Sequence, residues 1–487
     1  MSLACAIQLF GAAAPAAPAE PKLESLPGAS VTEQSVEIGG RRFEFKATAS
    51  AVPVKDAKSG EILAEIATLA FTIEPPKAEA GKPPAAACRP VVFAFNGGPG
   101  AGSAWLDLGA VGPWRLPFVN AVPSTLPRLV DNQESWLGFA DLVFIDPPGT
   151  GYSRLPSKES ARKRLLSVDG DVEMLAVAIR RWTVREGRQA CPKYLLGESY
   201  GGFRAPKIAR LLQEDENIGI DGLILLSPAL DFSWIDGRDN PLLDAARLPS
   251  LVASRSGAKD RAALAQAEDY ARGEYLSDLL RGPQDAAALE RIVGRLSTMT
   301  GLAPEKLRRL GGHIGAADWA RDSDSSGRTI ASSYDGATRG LNPDPARSSS
   351  GWADPVLDAL RAPLAEAMEQ LVVERLKWPI GDANYEILND RVSGHWDWGQ
   401  GRRGQEALSD LRRVMALDPH VRVLVAQGLS DLVTPYFGTR LLLDQSAPVG
   451  APNRIVFVAL AGGHMFYAED GSRAALRDAA RKMIAGE

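Results

Sequence analysis

The chain has 487 residues, of which 45% are hydrophobic and 24% are charged, so it carries enough apolar material for a large globular core. Its formal net charge is −5, and its Lys and Arg residues are scattered, which excludes a basic surface for nucleic acid or an anionic membrane. No segment reaches the roughly eighteen uninterrupted apolar residues of a spanning helix, so we expect no membrane span. The expected partner is a peptide or a small acyl substrate, and the oligomeric state stays open.

Residues 1–30 would not build a core, because Ala and Pro dominate them. They are similar to the remnant of an export segment followed by a flexible tether, although the positively charged start of a signal peptide is missing. This interpretation predicts a periplasmic or secreted protein. A disordered tail on a cytoplasmic protein is the alternative.

The body of the chain opens with residues 35–54 and 61–74, in which apolar and polar residues alternate as in antiparallel strands. From Pro90 onwards the apolar runs are short and continuous, which is typical of parallel strands buried on both faces. Helical periods lie between several of these runs, so we predict an α/β core around a mostly parallel sheet. The continuous runs are residues 91–95, 142–145, 194–196, 223–226, 421–426 and 455–460.

A long insertion interrupts this alternation. Residues 233–403 are rich in Ala, Leu, Arg and Asp with helical spacing, and their strand candidates are few. We expect a mainly helical cap over the sheet, with a loop at 322–350. The predicted core then consists of a first part, residues 31–232, and a second part, residues 404–487.

Ser199 is the candidate nucleophile. It lies between Gly197 and Gly201 directly after an apolar run, where a strand that turns sharply into a helix exposes a hydroxyl. A G-x-S-x-G pattern also occurs in chains without catalytic activity. A base, an orienting acid and an oxyanion hole are therefore needed elsewhere in the chain.

Asp431 and His464 are the candidate partners of Ser199. Each follows a separate apolar run, and the chain order Ser, Asp, His is that of the α/β-hydrolase triad. His464 would accept the serine proton while Asp431 fixes the tautomer of the imidazole. A turn-capping role before Thr434 is the alternative for Asp431. The other histidines lie in the cap or before a strand, where we expect structural roles.

The segment 96–100, Asn-Gly-Gly-Pro-Gly, follows a buried run and lets backbone N–H groups face a cavity. We predict an oxyanion hole made of the N–H groups of Gly98 and of Tyr200, the residue after the nucleophile. A phosphate-binding loop is the alternative, but it lacks the Lys and the Ser or Thr of that motif.

Together these motifs resemble the serine carboxypeptidase family, and the cap is similar to that of its bacterial members. The family implies an α/β-hydrolase fold, a serine acyl-enzyme and the release of C-terminal residues from peptides. The matching motifs keep the family's order over residues 90–467. They are Asn96–Gly100, Gly112-Pro113, Phe144–Ser153, Gly197–Gly202, Asp431 and Gly463–Met465.

The resemblance also implies how the free carboxylate of a substrate is bound. The family uses an asparagine and a glycine of the glycine-rich loop and the glutamate before the nucleophile, which are Asn96, Gly97 and Glu198 here. A buried acid that stays protonated can donate a hydrogen bond to a carboxylate, so we expect higher peptidase activity in acid than at neutral pH. A favourable position at a helix N-terminus is the alternative role of Glu198.

Two positions depart from the family pattern. Ala94 replaces a tryptophan, and Ala110 replaces a second glutamate of the carboxylate network. Because one aromatic wall and one acidic partner are missing, an esterase or acyltransferase is the alternative to a carboxypeptidase. A catalytically inactive binding protein is a further alternative, which the complete triad disfavours.

Cys88 and Cys191 lie eight residues before Asn96 and Ser199, respectively. If the two strands are neighbours, as the α/β-hydrolase order implies, both cysteines lie at the same level, and an exported protein permits a disulfide between them. Two free buried thiols are the alternative. No histidine–cysteine–carboxylate cluster has ligand spacing, so we expect neither a metal nor a cofactor.

Overall fold

The computed structural model describes residues 25–487 except 56–59, 61, 75–87, 119–121, 125, 157, 238 and 347–353. Residues 1–24 of the predicted export segment and tether therefore lie outside the described residues. None of the described helices is long and apolar enough to cross a membrane.

A large mixed sheet forms the centre of the described part. The described strands are β1 (Ser30–Ile38), β2 (Arg41–Lys55), β3 (Ile62–Thr72), β4 (Val91–Phe95), β5 (Trp114–Arg115), β6 (Val130–Asp131), β7 (Asp141–Ile145), β8 (Lys193–Glu198), β9 (Gly222–Leu226), β10 (Thr329–Ala331), β11 (Arg339–Leu341), β12 (Arg422–Gly428) and β13 (Ile455–Leu460). Nine of them join in the order β1-β2-β3-β7-β4-β8-β9-β12-β13. β1, β2 and β3 pair antiparallel, and β3 pairs antiparallel with β7. The remaining neighbours in the order β7-β4-β8-β9-β12-β13 pair parallel. Both predicted strand types are confirmed.

Five parallel strands, β4, β7, β8, β9 and β12, are buried on both faces. The prediction is wrong for the run 455–460, because β13 is the edge strand of the sheet and is only half-buried. In β4, Val92 and Ala94 pack into one apolar cluster, whereas Val91, Phe93 and Phe95 pack into the cluster on the other face. This two-sided burial explains why the runs read as continuously apolar in the sequence. The parallel pairing places the carboxyl ends of β8, β12 and β13 at one edge of the sheet, where the residues that follow them can meet.

Helices cover the sheet and fill the long interval between β9 and β12. The described helices are α1 (Ala104–Leu106), α2 (Glu159–Leu165), α3 (Val168–Arg185), α4 (Tyr200–Glu214), α5 (Pro241–Ser256), α6 (Ala265–Tyr270), α7 (Leu276–Arg281), α8 (Ala286–Thr300), α9 (Pro304–Arg309), α10 (Ala316–Asp322), α11 (Leu357–Gln370), α12 (Asp390–Gly394), α13 (Leu408–Leu417), α14 (Tyr436–Gln445) and α15 (Asp470–Ala485). Helices α5 to α13 lie in that interval, and α5 to α12 fall within the predicted cap, whose exact boundaries stay a prediction.

The predicted loop at 322–350 contains regular structure that the sequence did not reveal. β10 and β11 pair antiparallel within it, with Thr329 opposite Leu341 and Ala331 opposite Arg339. Strands of three residues are too short to show a period of two in the sequence. The turn between them carries Tyr334, which contacts the candidate active site described below.

Cys88 and Cys191 are joined in a disulfide, with their Cα atoms 5.0 Å apart. Cys88 precedes β4 and Cys191 precedes β8, and these strands are hydrogen-bonded neighbours. The bond therefore ties the two strands together at their amino ends. The candidate active site lies at the opposite, carboxyl ends.

Candidate active site

Ser199 lies at the sharp turn between β8 and α4. Its backbone has φ 60° and ψ −121°, in a region that residues other than glycine rarely adopt. The N–H of Ser199 donates to the carbonyl of Leu226 at the end of β9, which holds the turn against the sheet. A Cβ atom at Gly197 would lie 2.1 Å from the carbonyl oxygen of Gly201, so the turn can close only with glycine at 197.

His464 and Asp431 form a buried hydrogen-bonded pair after β13 and β12. Nδ1 of His464 lies 2.8 Å from Oδ2 of Asp431, and both side chains are almost fully buried. Burial opposes protonation of His464, but the charge and the hydrogen bond of Asp431, together with the charge of Glu198, outweigh it. The pKa of His464 is therefore raised above its usual value.

Asp431 also caps the turn that follows it. Its Oδ1 accepts hydrogen bonds from the N–H groups of Val433 and Thr434, at 2.8 and 3.0 Å. The turn-capping role and the contact with His464 are thus made by different oxygens of one carboxylate. A carboxylate held in this way presents a fixed acceptor to the imidazole.

Thr434 is a polar contact of this pair that the sequence reasoning missed. Its hydroxyl lies 2.7 Å from Oδ2 of Asp431, 3.2 Å from Nδ1 of His464 and 3.0 Å from the carbonyl oxygen of Ser227. The spacing Asp-x-x-Thr, common in capped turns, was the available signal.

The backbone of His464 is fixed on two sides. Its N–H donates to the carbonyl of Tyr334, and its carbonyl accepts from the Ser227 hydroxyl at 2.8 Å. The ring of Tyr334 meets the imidazole edge to face, with centroids 5.3 Å apart. No sequence pattern near Tyr334 predicts this contact with His464.

Ser199 and His464 line one cavity of about 170 Å³. Among the described residues, Oγ of Ser199 makes no hydrogen bond, so the structure brings the serine and the histidine into one cavity without joining them. The described lining residues are Asn96, Gly97, Gly98, Ala101, Trp105, Glu198, Ser199, Tyr200, Ala229, Phe232, Ile235, Tyr334, Leu357, Leu388, Arg402, Val433, Thr434, His464 and Met465.

The two predicted oxyanion donors border the same cavity. Gly98 has φ +100°, a conformation that favours glycine, in the loop after β4. Tyr200 is the first residue of α4, and the first N–H groups of a helix have no partner within it. Both backbone positions are thus available to hold a negative oxygen, and their assignment stays a prediction.

Glu198 is a buried carboxyl beside the nucleophile. The Asn96 side-chain amide donates to Oε2 of Glu198 at 2.6 Å, and the Tyr467 hydroxyl lies 3.0 Å from both carboxyl oxygens. Burial penalises the charged form and raises the pKa of Glu198 to about 7, against the opposing effects of His464, Tyr467 and Asn96. Around neutral pH this carboxyl therefore changes between hydrogen-bond donor and anion.

Other residues lie near Ala94 and Ala110, the two positions that depart from the family pattern. Ala94 is buried in β4, and the indole of Trp105 supplies an aromatic wall to the cavity. Ala110 is buried in a π-helical segment, and Tyr467 supplies the polar contact to Glu198. An aromatic wall and a second polar partner are thus both present. The sequence reasoning missed Trp105 and Tyr467, because neither belongs to a motif.

The buried guanidinium of Arg204 packs against residues of the site. Arg204 lies 3.0 Å from Asp171, donates to the carbonyl of Asn96 at 3.0 Å, and stacks on the ring of Tyr200 with its Cζ 4.7 Å from the centroid. The Arg204 and Asp171 side chains are almost completely buried. Arg204 thereby connects the glycine-rich loop to the residue after the nucleophile. Within the described ranges, no group of three or more His, Cys, Asp or Glu residues could hold a metal ion.

Comparisons with known proteins show which family part of the chain resembles. Residues 78–233 match the family model described as Serine carboxypeptidase. Serine carboxypeptidase-like 13 of Arabidopsis thaliana is 29% identical over 147 residues, which are 29% of this chain and 33% of that protein. Pheromone-processing carboxypeptidase KEX1 of Yarrowia lipolytica is 36% identical over 132 residues, which are 27% of this chain and 20% of that protein. The matches thus span a third or less of the length of these relatives.

A solved structure extends the likeness of the fold to nearly the whole chain. A prohormone-processing carboxypeptidase from Saccharomyces cerevisiae covers 91% of this chain and 91% of its own, with a TM-score of 0.56 and 14% sequence identity. At this identity the match carries the fold alone, and the predicted α/β-hydrolase fold is confirmed. The predicted resemblance to the serine carboxypeptidase family is confirmed over residues 78–233, which are less than half of the chain.

Proposed function

We propose that this protein is a serine-type carboxypeptidase that releases C-terminal residues from peptides through an acyl-enzyme. One observation carries the proposal: the buried carboxyl of Glu198, with a pKa of about 7, lies beside Ser199 and is held by Asn96 and Tyr467. A protonated carboxyl at this point can donate a hydrogen bond to the free C-terminal carboxylate of a peptide. An ester or an internal peptide bond has no such carboxylate.

In the proposed reaction, Oγ of Ser199 attacks the carbonyl carbon of the last peptide bond and transfers its proton to His464. Asp431 stabilises the imidazolium, and the N–H groups of Gly98 and Tyr200 donate to the oxyanion. When the tetrahedral intermediate collapses, the C–N bond breaks and the imidazolium protonates the leaving amine. Water then attacks the acyl-enzyme by the same route and regenerates Ser199.

Recognition of the terminal carboxylate is assigned to Asn96, Gly97 and Glu198. All three line the cavity with Ser199. The amide oxygen of Asn96 accepts from the N–H of Leu106 at 3.2 Å, which orients its NH₂ group toward Glu198. Because Asn96 and Tyr467 both donate to the Glu198 carboxyl, the proton of Glu198 is the donor that can bind the substrate carboxylate.

An exported location is part of the proposal. The disulfide between Cys88 and Cys191 supports it, because such bonds persist in oxidising compartments. The exact compartment, periplasm or exterior, is a finer question that fractionation of producing cells answers.

Two measurements test the function. A fluorophosphonate probe should label wild type and not Ser199→Ala, which would establish the nucleophile. Wild type should cleave blocked dipeptides with a free C-terminal carboxylate and leave the matching C-terminal amides uncleaved. Labelling without cleavage of any free-acid peptide, combined with rapid hydrolysis of small esters, would overturn the carboxypeptidase and favour the esterase or acyltransferase. Failure of labelling would indicate a binding protein.

A further inference from the structure

The cavity has a second wall, whose chemistry differs from that around Glu198. This second wall consists of Tyr200, Ala229, Phe232, Ile235 and Arg402, and its aromatic rings belong to a separate apolar cluster. The ring centroid of Tyr200 lies 5.6 Å from that of Trp398 and 6.3 Å from that of Phe232. Glu198 contacts Asn96 and Tyr467 instead. Because Glu198 and Tyr200 flank Ser199 in the chain, we assign the two walls to opposite sides of the reacting bond.

Arg402 is stacked into this second wall. Its Cζ lies 5.0 Å from the ring centroid of Phe232 and 5.2 Å from that of Trp398. Gln405 ties the backbone around the two rings together: its carbonyl accepts from the N–H of Phe232 at 3.0 Å, and its side-chain amide donates to the carbonyl of Trp398 at 2.7 Å. Stacking of this kind holds the plane of the guanidinium and leaves its edge for hydrogen bonds.

The guanidinium N–H groups of Arg402 make no hydrogen bonds to acceptors among the described residues. Among the described residues the side chain of Arg402 makes no hydrogen bond, and its ion-pair contact, with Asp236, is at 3.6 Å. The Arg402 side chain is 49% exposed, so the guanidinium reaches the open part of the cavity. A fork of free donors on a fixed plane fits the two oxygens of a carboxylate.

The charge of the cavity lining also favours a carboxylate ligand. Of the described residues that line the cavity, Arg402 is the one lysine or arginine. The second wall is otherwise aromatic or aliphatic, with Tyr200, Ala229, Phe232 and Ile235. A side chain with a short apolar stem and a terminal carboxylate matches this combination, whereas a cationic side chain would be repelled.

We propose that Arg402 is a specificity-determining residue that binds the side-chain carboxylate of aspartate or glutamate in the residue that supplies the acyl group. Peptides with an acidic penultimate residue are then the favoured substrate class. The inference rests on the proposed carboxypeptidase function, since it places the terminal carboxylate at Glu198 and the acyl residue against the second wall.

The test compares blocked dipeptides that share a C-terminal Phe and differ only in Glu or Gln at the penultimate position. In wild type we expect the ratio of kcat/KM for Glu over Gln to be about tenfold, the effect of one hydrogen-bonded ion pair. In Arg402→Gln the ratio should fall to about one, and in Arg402→Lys it should be intermediate, because the charge stays but the fork is lost. A ratio of two substrates on one variant cancels changes in the packing of the wall.

Arg403→Gln is the matched control. It removes the same charge one residue away, and Arg403 does not belong to the described lining of the cavity. The ratio should remain at its wild-type value in this variant. A fall equal to that in Arg402→Gln would show a general effect of surface charge and overturn the assignment.

The outcomes separate this inference from the function on which it rests. Cleavage of the Gln peptide by wild type with no preference for Glu overturns the role of Arg402 and leaves the carboxypeptidase intact. An equal loss on both peptides in Arg402→Gln, with loss of discrimination against the C-terminal amide, would place the terminal carboxylate at Arg402 and overturn the inference. No cleavage of either peptide, with Ser199 still labelled, overturns both.

Discussion

The hydroxyl of Tyr467 lies 3.0 Å from both carboxyl oxygens of Glu198, although 269 positions separate the two residues in the chain. Both side chains are buried, so neither is free to exchange this contact for water. The tyrosine is one of the groups that lower the pKa of Glu198 against the larger effect of burial. It therefore helps to set the pH at which Glu198 loses its proton.

Tyr467→Phe should raise the pKa of Glu198 further, because the hydrogen bond that favours the charged form is removed. Hydrolysis of free-acid peptides should then persist to higher pH than in wild type. The measurement is the alkaline limb of kcat/KM for a blocked dipeptide. Tyr152→Phe is the control: the Tyr152 hydroxyl is buried without a hydrogen-bond partner among the described residues, and its loss should leave the limb in place. A limb that moves to lower pH in Tyr467→Phe contradicts the prediction.

Glu198→Gln should abolish the alkaline limb itself. Burial raises the pKa of Glu198 to about 7, so the carboxyl is a donor below that pH and an anion that repels the substrate carboxylate above it. We expect the ratio of kcat/KM for a free-acid peptide to that for its methyl ester to fall about tenfold from about pH 6 to about pH 8 in wild type. In Glu198→Gln the ratio should stay level, because an amide does not ionise.

The ester serves as the internal control of this experiment. The acid limb, which reports protonation of His464, is common to both substrates and cancels in the ratio. The same fall of the ratio in Glu198→Gln would assign the alkaline limb to another group.

The site residues that the sequence predicted are those with local signals. Ser199 and Asp431 follow buried strands, His464 follows the half-buried edge strand β13, and glycines mark the turns at Ser199 and His464. Parallel strands deliver such residues to one edge of a sheet whatever the details of packing. Their positions were therefore predictable from strand order alone.

The residues that were missed reach the site through tertiary packing. Tyr467 and Trp105 are aromatic residues in apolar surroundings, where a role in the core is the default expectation. Tyr334 lies in a turn between two strands of three residues, which leave no periodic pattern. Arg402 is one of two consecutive arginines, and the sequence does not show which of them stacks on Phe232 and Trp398.

The disulfide should stabilise the sheet without taking part in catalysis. The bond closes a loop with a sequence separation of 103, and it lies at the strand ends away from Ser199. Replacing both cysteines by alanine should lower the free energy of unfolding by about 2–5 kcal/mol and should lower the melting temperature. The fluorophosphonate labelling rate of Ser199 at 25 °C should stay within about twofold of wild type.

Mass spectrometry after alkylation in denaturant without reductant checks the bond directly. Cys88 and Cys191 should remain unmodified until a reductant is added. Alkylation of both residues before reduction would show two free thiols and remove the expected loss of stability.

Thr434→Val should impair catalysis through the orientation of His464. The Thr434 hydroxyl contacts Oδ2 of Asp431, Nδ1 of His464 and the carbonyl of Ser227, so valine of nearly equal volume leaves this polar junction one partner short. We expect kcat to fall about tenfold with little change in KM, since the hydroxyl is engaged by Asp431, His464 and Ser227. Thr434→Ser should recover most of the rate, because it restores the hydroxyl.

Thr183→Val controls for the general cost of removing a buried threonine hydroxyl. Thr183 is fully buried in α3, where its hydroxyl donates to the carbonyl of Ile179 at 2.8 Å. Its replacement should lower the melting temperature to a similar degree and leave kcat unchanged. If both valine variants lose stability equally and neither loses rate, Thr434 stabilises the turn without positioning the histidine. A loss of kcat confined to Thr434→Val and reversed by serine identifies Thr434 as a positioning residue for the Asp431–His464 pair.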